Sequence, residues 1–78
     1  MTGDQIQKAY AYNVRWRAMV KEVKSQQALA DAIGVSRAAI AAIYKSSHRF
    51  IDPEVLALLA DYFACAPYEL LVVPPELL

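Results

Sequence analysis

The sequence predicts an all-α domain of five helices, and three observations carry that expectation. Apolar residues recur three and four positions apart along most of the 78 residues, the period of one buried helix face. The stretch Ser25-Gln26-Gln27-Ala28-Leu29-Ala30-Asp31-Ala32-Ile33-Gly34-Val35-Ser36 reads as a capped helix, a reversal and the cap of another helix. Further on, Asp52-Pro53-Glu54 combines a capping carboxylate, proline at the first helical position and an acid near the positive end of the helix dipole.

Taken in order, Met1 to Asp4 is a short start in which Gly3 discourages helix and Asp4 is a candidate cap. From Gln5 to Val23 nothing breaks a helix, and Ile6, Tyr10 and Val14, then Trp16, Met19, Val20 and Val23, fall at helical spacing. The spacing leaves open which of Trp16, Met19 and Val20 turns inward. Tyr10 and Tyr12 are read as local packing. Lys24 connects to Ser25, whose hydroxyl suits the N-cap of a second helix, Gln26 to Ile33. Leu29, Ala30 and Ile33 form its inner face. Ala30 is small, as a close crossing of two helices at about 90–120° demands. Gly34 stands where the chain must take a positive φ to reverse, Val35 covers the turn, and Ser36 caps a third helix from Arg37 to about Lys45. Ile40 and Ile43 face back toward Leu29 and Ile33.

Residues 46–51 then form a loop, with Phe50 and Ile51 expected to plug the core. In the fourth helix Val55, Leu56, Leu59, Ala60 and Phe63 make the buried stripe. Ala66-Pro67 restarts the chain, and Tyr68, Leu70 and Leu71 belong to a last short helix. Val72 to Leu78 is an apolar tail that Pro74 and Pro75 keep from being helical throughout. The expected organisation is one domain over 1–78, with the helix-turn-helix at about 25–45, helices four and five at about 53–72 and the tail at 73–78.

Composition narrows the function. Hydrophobic residues make up 58% of the chain, and 14 of them are alanines, so the core is closely packed helices rather than a thick Leu/Ile interior. A domain of this size buries only about 60% of the surface its unfolded chain exposes, which makes its stability modest. Cys65 is alone, fits a reducing cytoplasm and is expected to be a small core residue. No Cys/His cluster suggests zinc, no apolar run reaches the ~18 residues of a membrane span, and no leader pattern opens the chain. His48 is the single histidine, and Gly3 and Gly34 are the two glycines, so neither a nucleophile–base set nor a glycine-rich phosphate loop is present. Neither an enzyme nor a cofactor is expected.

The formal net charge is zero but unevenly spread. All eight Lys and Arg lie at or before Arg49 against three acids there, a net of +5, while residues 51–78 carry five acids and no Lys or Arg, a net of −5. The basic half is the half with the reversal motif. Such a chain can present a cationic face to phosphates while its far end stays acidic.

With Gln26, Leu29-Ala30, Gly34, Ser36, Ile40 and Ile43 in this order, the sequence resembles the Cro/CI-type (XRE-like) helix-turn-helix regulators of bacteria and their phages. The resemblance spans roughly Val14 to Leu71 and includes Asp52-Pro53-Glu54-Val55-Leu56, Leu59-Ala60-Asp61-Tyr62-Phe63 and Pro67-Tyr68-Glu69-Leu70-Leu71. It implies a compact five-helix, lambda-repressor-like DNA-binding domain, a cytoplasmic homodimer on double-stranded DNA, and repression of transcription. In helix-turn-helix proteins the second helix of the pair enters the major groove and the first crosses the backbone. Mapped onto this chain, the base-facing positions are Arg37, Ala38, Ala41 and Ala42. Arg37 can pair with guanine O6 and N7, which is worth about 1–3 kcal/mol of discrimination; a phosphate contact or a solvated side chain is the plainer alternative. The alanines depart from the family, where polar side chains are usual. They can meet thymine methyls but cannot hydrogen-bond to bases, which leaves more of the specificity to DNA shape or dimer spacing.

The backbone contacts implied are Gln26, where the family often holds a glutamine against phosphate, with Ser36, Lys45, Ser46, Ser47, Arg49, Arg17 and Lys24; Arg15 is a further cation of this half, and for each but Gln26 a solvated surface side chain is an equal alternative. Tyr44 stands where members frequently carry an acid, and Ser46 near a position commonly glycine. Tyr68 and the apolar tail form the expected self-association surface, unless the tail folds back over the core. The alanine-rich third helix also admits a second reading, a protein-interaction module such as an antitoxin or adaptor whose partner is a toxin or another protein.

Overall fold

The computed structural model describes residues 2–46 and 50–77. Among the described residues there are four α-helices: α1 (Gly3–Val20), α2 (Gln26–Ile33), α3 (Arg37–Lys45) and α4 (Pro53–Tyr62). The expected fifth helix is instead a 3-10 turn over Pro67–Leu70, and a second such turn covers Pro75–Leu77. Four residues, the first a proline, are too few for α-helical pairing to take hold. The Leu71 N–H donates to the Tyr68 carbonyl, and the Glu69 carboxylate accepts the Ala66 N–H at 2.6 Å to close the start of the turn.

The first helix starts earlier than expected and ends sooner. Thr2, not Asp4, is its N-cap: Thr2 Oγ1 accepts the Gln5 N–H, and Gln5 Oε1 accepts the Thr2 N–H. This reciprocal pair satisfies two donors and outweighs the cost of Gly3 at the first position. At the other end α1 stops at Val20, and Glu22 takes a φ of 60° so that the Val23 N–H can reach the Ala18 carbonyl. The inward stripe of α1 is Tyr10, Val14 and Ala18, with Ala9 and Ala11 beside it. None of Trp16, Met19 and Val20 points inward. The four-residue step from Tyr10 to Ala18 fixes the buried face, and Trp16, Met19 and Val20 fall on its other side.

The core gathers Tyr10, Val14, Ala18, Leu29, Ala30, Ile40, Ile43, Leu59, Ala60 and Leu70. Ile33, Val35, Ile51, Val55, Leu56, Phe63 and Cys65 pack against it half-buried. Phe50 is not a core plug, being 79% exposed. Neighbours in a non-helical run face opposite ways, and Ile51 takes the inward place.

The C-terminal segment folds back. Asn13 Nδ2 donates to the carbonyls of Leu70 (3.0 Å) and Val72 (2.9 Å), Val73 is buried, and the second 3-10 turn packs on α1. This part of the expected self-association surface is therefore covered internally, while Tyr68 and Val72 stay exposed.

Candidate nucleic-acid interface

The α2–α3 pair is built by its caps. Ser25 Oγ accepts the Ala28 N–H at 3.0 Å, and Ser36 Oγ accepts the Ala39 N–H at 3.2 Å. Gly34 has φ +79°, and both its own N–H and that of Val35 reach the Ala30 carbonyl. A Cβ at Gly34 would meet nothing within 4 Å, so glycine is needed there for backbone conformation rather than for space. Ala30 is fully buried and shares the core with Leu29, Ile40 and Ile43.

The first turns of the four α-helices differ in charge. Asp4 and Glu54 open α1 and α4, whereas neither α2 nor α3 has an acid in its first turn. Carboxylates stabilise helix N-termini, and cations there are unfavourable. Arg37, exposed at the first position of α3, therefore stands where folding alone disfavours it. The unpaired first-turn amides of a helix are a ready anion site. On α2, Gln27 donates to Asp31 at 2.8 Å, while Gln26 is half-buried at the helix start and makes no side-chain hydrogen bond among the described residues.

The remaining expected contacts separate. Ala38 is exposed, and Ala41 and Ala42 are half-buried; Ala42 also lines a small cavity of about 130 Å³ with Tyr10, Phe50, Asp52 and Val55. Lys24 and Lys45 are exposed at the two ends of the motif. The hydroxyl of Ser36 is engaged in capping. That of Ser46 turns to α1 and donates to the Gln7 carbonyl at 3.3 Å, while the Ser46 backbone takes a left-handed φ of 53° to end α3. Arg17, half-buried, lies over the Trp16 ring and lines a groove with Trp16, Val20, Lys21 and Phe63. Ser47 and Arg49, like His48, lie outside the described residues. The acid-free first turns were legible in the sequence: Gln26-Gln27-Ala28 and Arg37-Ala38-Ala39 follow their capping serines without a carboxylate.

Among the described residues no group of three or more His, Cys, Asp or Glu could hold a metal ion, and no helix is long and apolar enough to cross a membrane. Burial raises the pKa of Cys65, with Arg17 opposing and Glu69 adding to the shift, which keeps its thiol out of the thiolate form that reactive cysteines need.

No curated protein and no solved structure matches the chain. The family model of the Cro/C1-type HTH DNA-binding domain matches residues 16–76, from near the end of α1 into the second 3-10 turn. The chain belongs to the Cro/C1-type helix-turn-helix family, a DNA-binding and regulatory family rather than a catalytic one.

Proposed function

We propose that this chain is a sequence-preferring transcriptional repressor that lays α3 in the major groove and sets the start of α2 against the backbone. One observation carries the reading: α2 and α3 both begin without a carboxylate, and α3 begins with an exposed arginine against its own dipole. Arg37 then pairs with a guanine edge, and Ala38 and Ala41 meet thymine methyls. Gln26 and the α2 amides hold a phosphate, with Lys24, Lys45, Ser47 and Arg49 along the flanking backbone. Ser36 and Ser46 serve through the caps they form. A homodimer meeting through the exposed Tyr68 and Val72 would set the half-site spacing.

Selection of bound duplexes from a random pool tests this. A two-fold site is the expected product, with retention that falls steeply as salt rises. Arg37→Ala should weaken the selected site about tenfold and flatten preference at one base position. Gln26→Ala should weaken all duplexes alike. Retention that does not change with salt, or no retention, defeats the reading in favour of a protein-interaction module.

A further inference from the structure

Helix α1 carries a second apolar stripe that the core does not use. Tyr12, Trp16, Met19 and Val20 follow one another at i, i+4, i+7 and i+8 on its outer side, and Trp16 is 48%, Met19 69% and Val20 64% exposed. Grooves flank the stripe on both sides. One of about 510 Å³ runs between α1 and the end of α3, and its lining includes Tyr12, Trp16, Met19 and Tyr44. The other, about 280 Å³, lies between α1 and Phe63. Trp16 borders both, so the two make one surface about two helical turns long.

Cations rim this surface. Arg15 lies over the Tyr44 ring, Arg17 over Trp16 and Lys21 over Tyr62, at 5.3, 5.6 and 4.6 Å from the ring centres. The only ion pair among the described residues joins Lys8 to Asp4. The charges of Arg15, Arg17 and Lys21 therefore meet no carboxylate within ion-pair distance there.

From this juxtaposition we propose that the outer face of α1 docks an acidic amphipathic helix of a partner protein, its apolar anchors seated along Tyr12, Trp16, Met19 and Val20 and its carboxylates reaching Arg15, Arg17 and Lys21. The helix-in-groove mode needs apolar anchors at one helical spacing, and the stripe provides the matching receptor. Charge selects the occupant. A second copy docked through the same face would set these cations against themselves, an arrangement that costs several kcal/mol. Its acidic half could reach the patch only head to tail, which gives a ring or an open chain of copies rather than a two-fold pair. Single-stranded nucleic acid needs a run of aromatic platforms, whereas the most exposed members here are Met19 and Val20. None of Tyr12, Trp16, Met19 and Val20 is among the residues assigned to DNA.

Trp16 is the only tryptophan, so its fluorescence reports occupancy directly. The full chain is titrated with a tryptophan-free helical peptide bearing Leu at i, i+4 and i+7 and Glu elsewhere, and with the same peptide carrying Lys for Glu. The Glu peptide should shift Trp16 emission to the blue and saturate, with the Lys peptide about tenfold weaker or more. Met19→Glu and Lys21→Glu should each weaken the Glu peptide while leaving the far-ultraviolet circular dichroism and duplex-DNA retention unchanged. The proposal is overturned by no shift with the Glu peptide or by equal shifts with both peptides. A shift on concentrating the protein alone, or with a single-stranded oligonucleotide in place of the Glu peptide, also overturns it.

Discussion

The Arg15 guanidinium donates to the Tyr44 carbonyl at 2.8 Å and lies 5.3 Å above the Tyr44 ring. One side chain of α1 thus satisfies a carbonyl in the last turn of α3, places a cation at the negative end of the α3 dipole and stacks on an aromatic face. Tyr44 is half-buried, and burial raises its phenol pKa while Arg15 pulls the other way. Arg15→Ala should therefore lower stability by about 1–2 kcal/mol in urea unfolding. Arg15→Lys should recover only part of that, since an ammonium cannot stack and donate with one planar group. Because Arg15 is not among the residues assigned to the duplex, the salt dependence of duplex binding should keep its slope in Arg15→Ala. A slope reduced by about one phosphate contact would place Arg15 at the DNA instead.

Asn13 does the same service for the C-terminal segment. Its one amide nitrogen donates to two carbonyls, those of Leu70 and Val72, and both bonds bridge nearly the whole sequence. Asn13→Leu keeps the approximate volume but strands the Leu70 carbonyl in a part-buried place, at about 1–3 kcal/mol. Asn13→Asp should be worse, because a carboxylate would face two carbonyl oxygens. Limited proteolysis should cut near Val72 faster in both variants. Unchanged cleavage would mean that Val73 and the second 3-10 turn hold the segment without the amide.

These two side chains show where the sequence stopped being informative. The α2–α3 pair and the start of α4 were legible because local chemistry decides them: Ser25, Gly34, Ser36 and Asp52-Pro53 each act on residues within one turn. Arg15 and Asn13 act across 29 and 57 or 59 positions, and nothing in their neighbours announces that. α1 misled for another reason. It has apolar residues on two sides, so the period that marks a buried face was present twice, and only the packing of Tyr10, Val14 and Ala18 shows which side the core takes. The base-facing positions of α3 were legible as positions. The alanines there offer no polar chemistry from which to read a site.

Three of the four α-helices end through a left-handed residue that is not glycine: Glu22 after α1, Ser46 after α3 and Ala64 after α4, with φ of 60°, 53° and 56°. A Cβ in this conformation costs about 1–2 kcal/mol. Ala64 is exposed, so Ala64→Gly should stabilise by about 0.5–1 kcal/mol after the added freedom of the unfolded chain is subtracted. Ser46→Gly should gain less, because it gives up the bond to the Gln7 carbonyl. Gly34→Ala runs the other way and should cost about 1 kcal/mol by backbone strain alone, as no atom crowds the new Cβ. Urea midpoints of the three variants check the order, and a destabilised Ala64→Gly would contradict it.

Tyr10 sets a limit at high pH. It is 1% exposed, and burial first, then the nearby charge of Asp52, hold its phenol well above the ordinary range. The unfolded chain loses that proton near pH 10, while the native chain keeps it. Above about pH 10 the unfolded state therefore binds fewer protons than the native one, and stability falls as pH rises toward the native pKa. Below the unfolded pKa the contribution is fully present and independent of pH. Urea midpoints of the natural chain should thus decline more steeply from about pH 10 upward, and Tyr10→Phe should flatten the decline, leaving the part due to Tyr44 and Cys65. Midpoints of Tyr10→Phe that fall in parallel with those of the natural chain would assign the alkaline loss to other groups.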